Sequence, residues 1–183
     1  MHPIIGISGR IGTGKDTVVN LILDKYQSYL HLKFATNLKL IVSILTSTTL
    51  DENHTREGKA SVPKGFDKSL GTYQQLLGEA LRQLIGTDVW VMPIINHPAK
   101  YKVISDVRYP NEADAIQKAG GIVIRLERSE LSRLSTLLGD TRNLEHESET
   151  ALDNYFFKYR IINDGSLEDL GVELFRILDS YLG

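Results

Sequence analysis

The chain has 183 residues, with 21 Lys and Arg against 23 Asp and Glu for a formal charge of −2. Apolar residues make up 42% and charged residues 24%, which suits one core-forming domain, or one with an inserted lobe, and excludes disorder over most of the length. The charge argues against life on bulk nucleic acid or an anionic membrane, though not against a local basic pocket. The absence of cysteine excludes disulfide scaffolds, thiolate metal sites and cysteine nucleophiles.

Pro3–Ser8 (PIIGIS) is a continuous apolar run ending at glycines, as a buried strand should be. It is too short for a signal-peptide core, and no stretch nears the ~20 apolar residues of a membrane span, so a cytoplasmic protein is expected. From Thr17, the positions Val18, Leu21, Ile22 and Tyr26 mark one helix face. Tyr29–Phe34 alternates like an edge strand, and Leu38, Ile41, Val42 and Leu45 return to helical spacing.

Residues 46–70 are polar with no sustained period, and are expected to be a mobile insertion or partly ordered loop. Tyr73, Leu76, Leu77, Ala80, Leu81 and Leu84 define a strongly amphipathic helix. Val103–Ser105 reads as a strand ending at Asp106, followed by a helix over Asn111–Ala119 with Asn111 as its cap. Gly121–Leu126 and Tyr159–Ile162 are two further strands, and Leu167 to Tyr181 a closing helix. Roughly 128–150 is again irregular. Alternating strands and helices predict an α/β fold with a mainly parallel, doubly covered sheet, whose ligands bind beyond the carboxyl ends of the strands.

Gly9-Arg-Ile-Gly12-Thr13-Gly14-Lys15-Asp16-Thr17 joins a strand to a helix. Its glycines let backbone N–H groups turn inward as an anion nest, and the helix N-terminus adds partial positive charge. Lys15 can then reach the β- and γ-phosphates of a nucleotide. Asp16 stands where the general G-x-x-x-x-G-K-[ST] motif has a hydroxyl residue, which counts against direct Mg²⁺ ligation there. Thr17 comes one position late, as in the GKGT loops of adenylate-kinase-like enzymes.

Asp106, leaving a core strand, is a candidate to hold Mg²⁺ through water; a turn or capping aspartate is the alternative. Arg108 lies at the same edge and is read as a second phosphate ligand or a plain surface arginine. Arg125, Arg128, Arg133 and Arg142, with Lys39 and Arg82, are each read as solvated charges or, taken together, as a lid and an acceptor-phosphate pocket. His146, beside Glu145 and Glu147, is read as a lid contact. Asn163-Asp164-Gly165-Ser166 either packs on a nucleotide base or makes a turn and cap.

Gly14-Lys15-Asp16-Thr17, Phe34-Ala35 with Leu38-Lys39, Leu84-Ile85-Gly86-Thr87-Asp88, SDVRYPNEADAI and HESE together resemble the phage- and virus-type deoxynucleoside monophosphate kinases, in patches from about residue 3 to 166. The resemblance implies a three-layer αβα phosphate-loop kinase fold, with a five-stranded parallel sheet in the order 2-3-1-4-5. Within this single domain of residues 1–183, it places an acceptor-binding region at 36–90 and a lid at 128–150. ATP and Mg²⁺ are the implied cofactors, and ATP + dNMP = ADP + dNDP the implied reaction. Gly9, Gly12, Thr13, Gly14, Lys15 and Asp16 would take the ATP phosphates, with Thr17 near the α-phosphate or metal.

By the same resemblance, Lys39, Arg82 and Arg108 would hold the acceptor phosphate. Arg128 would stack on adenine, Arg133 and Arg142 would neutralise the transferring group, and Asn163 to Gly165 would line the adenine pocket. Nucleotides are the implied partners, and a homodimer and a viral origin are suggested by the resemblance alone. Animal-type phosphomevalonate kinases share the GKD loop, so phosphomevalonate or dephospho-coenzyme A stays open as acceptor. A non-catalytic nucleotide-binding module stays open as well.

Overall fold

The computed structural model describes residues 3–135 and 146–183. In chain order the elements are β1 (Ile4–Ser8), α1 (Lys15–Lys25), β2 (Leu30–Leu32), α2 (Thr36–Thr46), α3 (Leu50–His54), α4 (Arg56–Ala60), α5 (Leu70–Ile85) and α6 (Met92–Ile95). They continue as β3 (Lys102–Val107), α7 (Pro110–Lys118), β4 (Ile122–Glu127), α8 (Glu130–Ser135), α9 (Glu147–Thr150), β5 (Tyr159–Ile162) and α10 (Leu167–Leu182). The chain divides into two compact units, one of Met1–Leu32 with His97–Gly183 and one of Lys33–Asn96.

The first unit holds a five-stranded, all-parallel sheet in the order β2-β3-β1-β4-β5, as expected. Fully apolar β1 takes the centre, in register with both neighbours: Ile5 lies opposite Val103 and Ile122, and Gly6 opposite Ile104 and Val123. One face buries Ile5, Ile7, Ile124 and Ile161 beneath Val18, Val19 and Ile22 of α1 and Leu170, Leu174, Ile177 and Leu178 of α10. At ~25 cal/mol per Å² of apolar surface, each such side chain contributes roughly 1.5–3 kcal/mol of burial free energy.

The opposite face is covered by α7, whose Ala113 and Ile116 are fully buried. Gly6 is there for close approach: a Cβ on it would stand 2.7 Å from Ile116 Cδ1 and 3.2 Å from Val107 and Val123. This is the αβα layering. The strand expected over Tyr29–Phe34 shortens to three residues, as suits a sheet edge.

The second unit corrects the expectation for residues 46–70. Two short helices form there, and α5 already begins at Leu70. Caps hold them. Thr49 and Glu52 make a reciprocal capping box, Thr55 Oγ1 accepts the Gly58 N–H at 3.1 Å, and Ser69 Oγ accepts the Thr72 N–H at 3.3 Å. Asn53, fully buried, donates to Thr48 Oγ1 and the Thr49 carbonyl at 3.0 Å and accepts from Gln74 Nε2 at 2.8 Å. This buried amide links α3 to α5, in a unit that also buries Val42, Leu70 and Trp90.

Candidate active site

β1 ends at Ser8 and α1 begins at Lys15, so residues 9–14 form the loop that the glycine pattern anticipates. Gly14 sits in the left-handed region at φ 95°, ψ 22°, where a Cβ would also meet the Asn163 amide. Thr13, buried, donates from Oγ1 to the Arg10 carbonyl at 2.9 Å. Asn163, just past β5, donates from Nδ2 to the Thr13 carbonyl at 2.9 Å, and so braces the loop from the next strand but one. Asp16 and Thr17 occupy the first turn of α1 and are exposed.

Lys15 folds back on its own loop, donating to the carbonyls of Gly9 at 2.8 Å and Arg10 at 3.0 Å. Burial, reinforced by the Arg108 charge, pushes its ammonium down to about 7, against the pull of Glu149 and Asp16. An ammonium held this reluctantly in its charged form is suited to an anionic ligand, which would supply the missing counter-charge.

Asp106 does not leave the strand as expected: β3 runs on to Val107, which lies opposite Ser8, so Asp106 is half-buried within the strand at the loop's edge of the sheet. The α7 cap is corrected as well. Tyr109 is the N-cap and Pro110 the first helical residue; the Glu112 carboxylate accepts the N–H groups of Arg108 at 2.6 Å and Tyr109 at 3.1 Å. This anchors the backbone that carries Arg108. Asn111 lies inside the helix because Pro110, with no N–H to satisfy, fills the first position.

The basic residues after β4 are not a uniform set of solvated charges. Arg125 is buried on β4; it donates to Ser8 Oγ at 3.2 Å and pairs with Asp153 at 3.0 Å. Burial holds its guanidinium below its usual range, while Asp153 opposes the shift. Arg128 reaches the Gly12 carbonyl through Nη1 at 3.5 Å, and its buried Nε has no hydrogen-bond partner among the described residues. Arg133, in the short helix α8, is buried. Arg142 lies outside the described residues. Gly165 follows Asp164, whose carboxylate accepts the Ser129 N–H at 2.9 Å and ties this turn to the start of the segment after β4.

His146 is an N-cap: its Nδ1 accepts the Ser148 N–H at 3.1 Å and begins α9, a second helix in a stretch expected to be irregular. Of the acceptor candidates, Arg108 belongs to the sheet unit, and Lys39 and Arg82 to the Lys33–Asn96 unit. Lys39 is buried, with Nζ 3.0 Å from His54 Nδ1. Burial and the cations Lys39, Lys33 and Lys59 hold the His54 ring below its ordinary pKa. Arg82 is half-buried in the last turn of α5.

Two acids that the sequence did not single out complete the site. Glu149 accepts the Ile11 N–H at 2.7 Å and pairs with Arg108; Asp153 pairs with Arg10 and Arg125. Arg10 is the largest cause of Asp153's lowered pKa. The fit to ATP can be judged from these atoms. The Ile11 N–H, the Lys15 ammonium and the Arg128 Nε, the last without a hydrogen-bond partner among the described residues, are donors of the kind that a polyphosphate takes. Among the described residues there is no group of three His, Asp or Glu that could hold a metal ion; Asp106 and Thr17 are the residues that the sequence offers to share one.

Sheet order, loop, lysine and helix together define the fold of the phosphate-loop kinases. No family model matches the chain. It is 24% identical over 203 residues to a protein of Acanthamoeba polyphaga mimivirus provisionally named a deoxynucleotide monophosphate kinase, with 97% of this chain and 96% of that one covered. Among solved structures, it is similar to a Thermus thermophilus protein, with TM-score 0.54, 20% identity and 98% of each chain covered. It is also similar to the shikimate kinase of Acinetobacter baumannii, with TM-score 0.55, 16% identity and coverage of 97% and 93%. No helix among the described residues is long and apolar enough to cross a membrane.

Proposed function

We propose that the chain is an ATP-dependent kinase of deoxynucleoside monophosphates, forming dNDP and ADP. The observation that carries the reading is Lys15, buried at the mouth of a glycine loop with its ammonium destabilised, in a chain similar over nearly its full length to the mimivirus protein. The loop N–H groups and the N-terminus of α1 bind the phosphates of ATP. Lys15 leaves the Gly9 and Arg10 carbonyls to bridge the β- and γ-phosphates. Asp106, through water, and Thr17 would help hold a Mg²⁺ ion, which would supply charge neutralisation.

Lys39, Arg82 and Arg108 hold the acceptor phosphate, with 36–90 as the acceptor-binding region. Arg128 and Asn163 to Gly165 take the adenine, and Arg133 and Arg142 belong to a lid over 128–150. No strong base is required, because a phosphate oxygen of the acceptor is already an anionic nucleophile; positioning and positive charge carry the rate. The substrates are small nucleotides, and the site of action is the cytoplasm.

ADP release with ATP and Mg²⁺ tests this against the four dNMPs, the NMPs, phosphomevalonate and dephospho-coenzyme A, with Lys15→Ala as control. Turnover with a dNMP that is lost in the control is expected. Turnover only with a non-nucleotide acceptor moves the chain to another kinase class, and ATP binding without acceptor-dependent ADP leaves a nucleotide-binding module.

A further inference from the structure

Glu149 and Asp153 reach the phosphate loop from 138 and 143 residues further along the chain. The Glu149 side chain is only 12% exposed, one oxygen on the Ile11 N–H and the other on Arg108 Nη1, which also donates to the Ser148 carbonyl at 3.3 Å. Asp153 takes the Arg10 guanidinium on the loop itself. A loop N–H and arginine guanidinium groups are the donors that hold phosphoryl oxygens, and here they hold carboxylates. Lys15 is turned onto loop carbonyls, so Arg10, Ile11 N–H, Lys15 and Arg108 are all engaged within the chain.

We infer that Glu149 is an intramolecular ligand of the phosphate loop, which a polyphosphate must displace, and that it thereby sets the loop's affinity for phosphate. The inference rests on the reading of this loop as the ATP site. A carboxylate and a phosphate cannot share the Ile11 N–H without like-charge repulsion in a site of low exposure. The apparent affinity of the loop is then its intrinsic affinity reduced by the fraction of molecules in which the carboxylate has left. Displacement also removes a tie that holds residues 147–153 to the loop. A permanent tie, in which Glu149 merely holds Arg108 ready, predicts the opposite sign for its removal.

The test uses the full chain and inorganic tripolyphosphate, which needs neither a base pocket nor turnover. Glu149→Gln keeps the shape and one acceptor oxygen and removes the charge; it is expected to bind tripolyphosphate roughly tenfold more tightly by calorimetry. In the unmodified protein, saturating tripolyphosphate is expected to speed hydrogen exchange at the amides of residues 147–153, a readout that does not depend on the variant folding. Equal or weaker binding by the variant, or slower exchange at those amides, overturns the inference and leaves the ATP site standing. An unmodified protein that binds neither tripolyphosphate nor ATP overturns both.

Discussion

The two compact units are held together by different chemistry. Under the sheet, Ile5, Ile7, Val18, Ile22, Ile124 and Leu174 are fully or almost fully buried, and helix and strand periods point the same residues inward. The Lys33–Asn96 unit also buries apolar side chains (Phe34, Val42, Leu70, Trp90, Val91 and Ile94) but adds a fully buried amide, that of Asn53, whereas Ile44, Leu84 and Ile85 are about two-thirds exposed or more. One unit is specified by where its apolar side chains go. The other depends in addition on satisfying the hydrogen bonds of a buried amide, so a substitution chosen by hydropathy alone should mislead at Asn53.

The largest effect expected from that comparison is at the loop. Lys15→Ala should lower kcat/KM for phosphoryl transfer by at least ~100-fold without lowering the thermal midpoint, because it removes a buried ammonium whose charged form the fold disfavours. The same group gives a pH signature. Its folded pKa of about 7 lies below the ordinary 10.5, so between those values the unfolded chain binds the extra proton, and stability rises with pH. Denaturant midpoints measured across that window should climb in the unmodified protein, and this contribution should vanish in Lys15→Ala.

Next in size, Gly6→Ala should destabilise by about 1–3 kcal/mol, since its methyl would press on Ile116; urea midpoints read this directly. In the other unit, Asn53→Ala should cost a similar ~1–3 kcal/mol by removing the buried side-chain hydrogen bonds to Thr48, Thr49 and Gln74, whereas Leu84→Gln should stay within about 0.5 kcal/mol. A larger loss from Leu84→Gln than from Asn53→Ala in paired melts would break the contrast between the units. Between those two, Thr49→Ala removes half of a capping box and should cost about 1 kcal/mol.

How well each part could be read in the sequence follows the same division. β1 is a continuous apolar run, and β4 is interrupted only by Arg125 before its last residue. The glycines and lysine between β1 and α1 have one economical geometry, so the sheet and the loop were accessible, while the strand order came from the resemblance. α3 and α4 were not: five residues are too few to show a 3.6-residue period, and such helices persist through caps and packing and not through propensity. Thr49, Glu52 and Thr55 carried the capping signal inside a stretch whose polarity suggested a loop.

Glu149 was hidden for a different reason. Beside His146 and Glu147 it looks like a surface acid, and its partner N–H at Ile11 belongs to a remote part of the chain. Arg125 likewise read as one of several solvated cations until Asp153 and Ser8 were placed against it. In each case long-range pairing, and not local pattern, decides what the charge does.

The sheet's two borders are unusually short. β2 offers three residues and β5 four, and β5 carries Arg160, paired with Glu127, with Lys158 just ahead of it. A parallel sheet with a fully apolar central strand would be a template for strand addition if its borders were long and flat. Here an approaching strand finds few free backbone groups on β5, and charged side chains among them. Clipped borders thus leave such a sheet little backbone with which to recruit other chains.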